Sequence, residues 1–484
     1  MPHPHPHSLP FRRALVWFGV AAALIAPASG ADSFAYFRSD GGRPHSTGSL
    51  PSDLDTPAAL RWRAPLPVGQ SSPTVSNGRI FLTGYDAEIK SLVTIALDQS
   101  SGKVLWQQPI MVGRIEEFHP QMGTAAPATP AVDGKHVYVF FGSYGLVCYD
   151  LEGKLVWEKR LGPFRDEYGA GSSPILIDDQ VVLSQDHDVD SFVAAYDRST
   201  GRELWRTPRP DAVRSYSTPV VWSRGDRKEL LVAGALELAG YNPANGEKLW
   251  WTYGLARIVI PLPLVDGERI YMASWSPGGD PSSRIALDAW EVALNNWDAD
   301  KNGQLTRAEI KDANVLDRFF RMDLDESGQL TEGEWNRHAE IFRRAQNALL
   351  AIQPSKQHGQ LPEEDVVWTY PRGAPYVATP LLERGNVWMV KDGGIVTKIE
   401  ARSGQRLAEE RLAGPGSYYA SPVTGDGKIY FCSEPGVVTV VANQPDWRVI
   451  SSRNFREKIH ATPAIRGDRL FVRTEKALYC FQGK

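Results

Sequence analysis

The chain has 484 residues, 42% of them hydrophobic and 23% charged, with a formal net charge of −4. That length admits two or three domains, or a single long all-β propeller. The small acidic excess and the lack of a basic stripe leave no basis for a nucleic-acid partner.

At the N-terminus, Arg12 and Arg13 precede an apolar stretch that ends in the small residues Ser29, Gly30 and Ala31. This layout predicts a secretory signal peptide over residues 1–31, cut near Asp32. The apolar run is too short to span a bilayer, and no later segment is apolar enough to do so. No Cys stands at the cleavage site, so a lipid anchor is not expected, and the expected location is the periplasm or the medium. His3, His5 and His7 belong to a low-complexity Pro-His leader. The three cysteines, Cys148, Cys432 and Cys480, sit singly in apolar runs and are expected to be buried free thiols.

From about Ser71 a unit recurs: a small residue, Pro, an apolar triplet, a Gly turn, two apolar strands, and a turn closing on Leu-Trp. The anchoring prolines are Pro73, Pro130, Pro174, Pro219, Pro263, Pro380, Pro422 and Pro463. Their spacing is that of propeller blades, except for one long gap between Pro263 and Pro380. Each unit supplies four short strands with period-two apolar patterning, and eight of them arranged radially leave only short edges. The eighth unit lacks its outermost strand, and residues 60–64 (LRWRA) read as the missing piece, with Trp62 matching Trp106.

The segment from Ala96 to Trp106, A-x-D-x-x-S-G-K-x-x-W, resembles the docking motif of the quinoprotein alcohol dehydrogenase-like (PQQ-like repeat) β-propellers. Ala195 to Trp205 and Gly240 to Trp250 keep its spacing, Cys148 to Trp157 is one residue shorter, and the sixth unit has Ala408 where Trp is expected. Asp98 and Asp197 should cap the turn, Gly102 and Gly201 should take positive φ, and Trp106 and Trp205 should wedge between blades. The expected fold is mainly β: an eight-bladed propeller with a small all-α insertion in the fifth blade. Residues 32–275 hold the closing strand and the first part, 276–346 the insertion, and 347–484 the remainder.

Within the insertion, two twelve-residue loops, DADKNGQLTRAE and DLDESGQLTEGE, resemble an EF-hand pair. Oxygen donors stand at alternate positions: Asp298, Asp300, Asn302, Gln304 and Thr306, then Asp323, Asp325, Ser327, Gln329 and Thr331, closed by Glu309 and Glu334 at position twelve. A hard cation takes six to eight oxygens, position seven gives its carbonyl, and Gly303 and Gly328 permit the turn. Two calcium sites are expected, with Leu305 and Leu330 pairing between the loops. Only 25 residues separate Asp298 from Asp323, so the intervening helices must be short. Flanking helices are expected from Ile285, Trp290, Leu294 and Trp297 before the loops, and from Trp335, Ala339, Phe342 and Leu349 after them. Strand direction places the insertion beside one mouth of the central channel.

At that mouth the blade connections bring Arg214, Tyr216, Arg257, Arg372, Tyr376, Arg456 and His460, with Arg114, Glu117, His119, Arg165, Tyr168 and Tyr419 nearby. An Arg and Tyr ring could take an anionic or polyhydroxylated ligand. The resemblance also implies a calcium-dependent pyrroloquinoline quinone dehydrogenase, in which the cofactor lies between a Trp and a disulfide of neighbouring cysteines. This chain has no Cys-Cys pair, and the family's carboxylate set finds no residue-by-residue match. Nor is there a G-x-S-x-G, H-E-x-x-H, P-loop or G-x-G-x-x-G motif. The expectation is a calcium-binding recognition scaffold for an envelope protein or a polysaccharide, with the quinone dehydrogenase as the alternative.

Overall fold

The computed structural model describes Met1, Pro2 and residues 35–483, apart from 45, 47, 120, 165–167, 278, 280–284, 445 and 446, and the side chain of Phe342. The expected signal peptide from residue 3 onward, and Arg165, lie outside the described residues. Eight antiparallel sheets of four strands form the propeller, and the fourth gains a fifth strand. Each sheet matches one Pro-anchored repeat. The first blade, for example, comprises Thr74–Ser76, Arg79–Asp86, Ser91–Asp98 and Val104–Met111. The two middle strands of this and most blades are buried along their length, and the outermost is mostly exposed. The eighth blade is completed by Leu60–Pro65, which pairs antiparallel with Ala477–Gln482 and sets Trp62 against Cys480. All three cysteines are buried and free.

Two devices join neighbouring blades. The first is the docking tryptophan. Trp106, Trp157, Trp205 and Trp368 each donate Nε1–H to a carbonyl in the next blade's turn, at 2.8–3.2 Å. Each ring covers a turn glycine, and a β-carbon at Gly201 would stand 2.5 Å from the Trp157 ring. The aspartate of the motif caps its turn as expected: Asp98 Oδ1 accepts from the Ser100 and Ser101 hydroxyls, both at 2.6 Å. The second device is a belt around the channel. In seven blades the residue before the anchoring proline is Ser or Thr, and its hydroxyl accepts a hydrogen bond from a neighbouring blade's backbone. Ser72 N donates to Thr129, Thr129 to Ser173, Ser173 to Thr218, Leu262 to Thr379, Thr379 to Ser421, Ser421 to Thr462 and Thr462 to Ser72, all at 2.9–3.0 Å.

Two of the expected docking positions depart from the pattern. Trp250 turns inward, and its Nε1–H donates to Glu229 at 2.7 Å in place of a carbonyl of the fifth blade's turn. Gly240, where the motif has Ala, removes the β-carbon that would otherwise strike this ring. Trp222 takes over, donating to Gly267 O at 2.9 Å. In the sixth blade, whose docking position is Ala408, Trp388 meets Trp447 of the seventh blade edge-on, with centroids 5.7 Å apart.

Residues 35–43 form an inner plug that the repeat pattern did not announce. Ala35 bridges Val132 on the inner strand of the second blade. The half-buried Arg38 donates from its guanidinium to the carbonyls of Pro422, Pro380 and Gly41 at 3.0–3.1 Å. Thr424 N of the seventh blade then donates to Gly42 O. The chain continues along the seventh and eighth blades, where Leu50 and Leu54 join the core, before entering the eighth blade.

The helical insertion leaves the fifth blade after Arg269–Ser274 and returns at Ala348–Ile352. It holds α1 (Trp290–Trp297), α2 (Ala313–Leu316), α3 (Phe319–Met322) and α4 (Glu332–Arg344). The two helices between the loops have four residues each, as the loop spacing demands. Two expected details differ. Ile285 packs against the insertion's core ahead of α1, and Leu349 lies in the returning strand because α4 ends at Arg344. Trp335 is the centre of that core, with Trp290 and Trp297 at 5.7 and 6.0 Å.

Candidate functional site

The two acidic loops fold alike, residue for residue. In the first, Asp298 accepts from Asn302 N and Gly303 N at 3.2 and 3.0 Å; in the second, Asp323 accepts from Ser327 N and Gly328 N, both at 2.9 Å. Lys301 and Gly303, and equally Glu326 and Gly328, take positive φ, which bends positions four and six inward. Position twelve folds back with both oxygens engaged. Glu309 accepts from Ala299 N and Thr306 N, and Glu334 from Leu324 N and Thr331 N, at 2.8–3.1 Å. Leu305 pairs with Leu330 across a two-residue ribbon.

This folding brings carboxylate oxygens of Asp298, Asp300 and Glu309 within 4.8 Å of one another, and likewise those of Asp323, Asp325 and Glu334. Asn302 and Ser327 point into their loops, where Asn302 Oδ1 accepts from Gln304 N and Ser327 Oγ donates to Gln329 O. The second loop is the more buried, with Asp323 and Glu334 each 8% exposed. Burial, with Glu334 close by, pushes the Asp323 carboxyl above its usual range. Three carboxylates and a backbone carbonyl in one small loop are the donor set of a hard cation.

The insertion rests on the mouth side of the propeller. Leu324, Ile341 and Ala345 share a small core with Val213 and Ala235, and Arg337 donates to Pro210 O at 2.7 Å. His338, on the inward side of α4, is pushed down to about 3 by burial and by the charges of Arg257, Arg318 and Arg321.

Above the plug, the central channel widens into a cavity of about 170 Å³. Its lining includes Tyr168, Tyr216, Tyr376, Tyr419, His460 and Met122, with the hydroxyl belt around it and Phe37 of the plug closing it from below. The expected ring therefore divides: Tyr216, Tyr376 and His460 line the cavity, and the four arginines do not. Arg214 is ion-paired with Asp188 beside a separate cleft under the insertion. Arg257 faces His338, and Arg372 and Arg456 are exposed. Among the described residues the cavity lining offers no Asp or Glu to pair with a guanidinium. His460 Nδ1 lies 3.0 Å from Gln70 Nε2. Burial holds its pKa down at about 4, against the pull of Glu434.

A sequence profile of the family described as outer membrane protein assembly factor BamB matches residues 52–185, 90–253 and 189–484. The chain belongs to this PQQ-like repeat family of β-propellers. More particularly, it is 28% identical over 239 residues to the quinohemoprotein alcohol dehydrogenase ADH IIB of Pseudomonas putida, which covers 45% of this chain and 33% of the relative. It is 25% identical over 206 residues to outer membrane protein assembly factor BamB of Shewanella oneidensis, covering 40% and 45%. The chain thus spans less than half the length of the curated relatives it matches. Among solved structures, BamB from Moraxella catarrhalis superposes with a TM-score of 0.50 at 13% identity, over 84% of this chain and 99% of that one. A europium-containing methanol dehydrogenase gives 0.54 at 11%, over 90% and 96%. At these identities the likeness is one of fold. Among the described residues, no helix is long and apolar enough to cross a membrane.

The residues present do not fit the quinone. Among the described residues the cavity lining contains no Trp, Cys or carboxylate, and its volume is below the ~300 Å³ at which ligand pockets of ordinary size begin.

Proposed function

We propose that this protein is a calcium-binding recognition scaffold of the cell envelope or its surroundings, exported by its N-terminal leader. The observation that carries the reading is the matching fold of two loops, each of which brings three carboxylates together around its turn. Asp298, Asp300, Asn302, the Gln304 carbonyl and Glu309 would hold one Ca²⁺; Asp323, Asp325, Ser327, the Gln329 carbonyl and Glu334 would hold the other. Calcium in these loops would draw α1 and α4 together and stiffen the mouth-side rim on which they rest. The propeller's outer surface would then serve as the docking face for an envelope protein or a polysaccharide. The similarity to an outer membrane assembly factor supports such a role. A calcium titration of chelator-treated protein tests the reading: two sites are expected, both lost in the Glu309→Gln, Glu334→Gln double variant.

Similarity to a quinohemoprotein dehydrogenase supports a second reading, a quinone-dependent oxidoreductase. The described residues of the channel cavity do not suit that cofactor. Titration with pyrroloquinoline quinone, with and without calcium, followed by visible absorbance, separates the two. Saturable calcium-dependent binding would replace the scaffold reading with the enzymatic one.

A further inference from the structure

Between the insertion and the flank of the fourth blade lies a cleft of about 740 Å³, separate from the channel cavity and touching the second acidic loop at Gly333. One wall is the blade's outer strand, Lys248–Tyr253. Trp251 and Tyr253 stand there two residues apart, so they share a face at a spacing of about 7 Å. The other wall is a single stripe of α4, where Asn336, Arg337, Glu340 and Arg344 recur at helical spacing. Most of the ionic groups are paired: Lys248 with Glu237 at 2.7 Å, Arg209 with Asp186 at 2.7 Å, and Arg344 with Glu340 at 2.6 Å, while Arg337 donates to Pro210 O. Lys248 Nζ also lies over the Trp251 ring, 4.7 Å from its centre, and Arg344 over that of Tyr253 at 4.2 Å, so a cation covers one face of each ring and a sugar stacking on that face would displace it.

We propose that this cleft binds an uncharged oligosaccharide, with successive sugar rings stacked along Trp251 and Tyr253 and their hydroxyls bonded to Asn336, Arg337 and Glu340. A pyranose presents an apolar C–H face and a rim of hydroxyls that both donate and accept, and this wall pair offers the complement of each. Two competing occupants fit less well. An extended peptide would add to the blade's free edge, but Gly359–Gln360 already pairs there with Trp250 and Trp251, and Leu361 N donates to Trp251 O. An anionic polymer would need a larger positive surplus than Arg209, Lys248, Arg337 and Arg344 leave against Asp211, Glu237 and Glu340, with Asp186 paired to Arg209 as well. A corollary rests on the calcium reading: Glu334 lies in the first turn of α4, so calcium in the second loop would hold that wall in place.

The test is calorimetric titration of the full chain with cellohexaose, chitohexaose and maltohexaose, in calcium and after chelation. Saturable binding of at least one hexaose is expected, with a dissociation constant below about 1 mM. Trp251→Ala should weaken it about tenfold or more, and so should the exposed Asn336→Ala to a smaller degree, with calcium affinity unchanged in both. Absence of binding by all three hexaoses, or unchanged binding in Trp251→Ala, overturns the site. A heparin hexasaccharide that binds more tightly than any neutral sugar overturns the uncharged class. Hexaose binding that survives both chelation and Glu334→Gln keeps the site and removes the calcium corollary. Should Glu334→Gln still bind two calcium ions, the loop assignment fails independently of the sugar result.

Discussion

Replacing Glu334 by Gln tests the calcium loops where the second one meets the propeller. The carboxylate is buried, with Oε1 accepting from Leu324 N at 2.8 Å and Oε2 from Thr331 N at 2.9 Å and Thr331 Oγ1 at 2.8 Å. Leu324 in turn belongs to the small core that joins the insertion to Val213 and Ala235. Glutamine keeps the volume and one acceptor, at a cost of about 1 kcal/mol for the lost bond, but it cannot give two anionic oxygens to a cation. Calcium at a hundredfold its dissociation constant stabilises the bound state by about 2.7 kcal/mol. For amides that exchange by opening of the insertion, that is a slowing of about a hundredfold. Hydrogen-exchange mass spectrometry of peptides from 323–345 should show this slowing in the wild type and none in Glu334→Gln. Glu309→Gln should keep it there and lose it over 298–309. Calcium protection of both loops that persists in the double variant would refute the assignment.

Arg38→Ala should cost about 3 kcal/mol in urea unfolding, because it leaves the carbonyls of Pro380, Pro422 and Gly41 without their charged donor; a change near zero would mean that the plug adds nothing to ring stability. Trp205→Ala removes a ring and its 2.9 Å bond to Pro243 O, and should cost about 3 kcal/mol. Trp447→Ala, at a half-buried site, should cost less but raise exchange at the junction of the sixth and seventh blades. Stability should also fall on mild acidification. His338 is held neutral down to about 3 in the folded chain, whereas the unfolded chain takes the proton near 6.5. The native pKa is depressed, so its contribution is complete above about 6.5 and is lost as pH falls from there toward 3, at about 1.4 kcal/mol per unit. Urea midpoints between pH 7 and 5.5 should show this slope, and His338→Gln should reduce it; an equal slope in the variant would remove His338 as its cause.

Blade number, strand boundaries and ring closure were legible in the sequence because they follow from local signals. A proline opens each inner strand, a glycine turn separates the pair, and the period stays within a narrow range. The acidic loops were legible for a similar reason, since their donors and turns all lie within twelve residues of chain. What escaped is long-range. Nothing local to residues 35–43 says that Arg38 will find carbonyls more than 340 residues away. The hydroxyl before each proline was visible as a small residue, yet its role depends on the backbone of the neighbouring blade. The arginines expected at the mouth do not line the cavity, because connection length alone does not say which way a side chain turns. One overlooked signal was present: Gly240 replacing Ala in the docking motif marked the blade whose Trp250 would fold inward.

The junction of the fourth and fifth blades shows why the insertion is tolerated where it is. Leu262 stands where the other blades place Ser or Thr, so it donates its N–H to Thr379 but has no hydroxyl to accept from the fourth blade. The docking tryptophan is also diverted there. Both recurring devices are therefore absent from the one junction whose following blade is interrupted. Substitutes come from the fourth and fifth blades themselves. Trp222 Nε1 bonds Gly267 O, Arg224 Nε bonds Glu268 at 2.8 Å, Ser217 Oγ bonds Pro261 O, and the Gly359–Gln360 strand adds to the fourth blade's edge. The insertion adds Ile341 and Ala345 against Val213 and Ala235. A helical module packed across a junction that lacks the standard joints becomes part of the joint. If calcium orders that module, its stabilising effect should therefore extend into the outer strand of the fourth blade, Lys248–Tyr253, and leave the junction of the first and second blades unchanged. Exchange rates in those two segments, measured in the same calcium titration, decide the point: equal effects at both junctions would mean that the module does not serve this joint in particular.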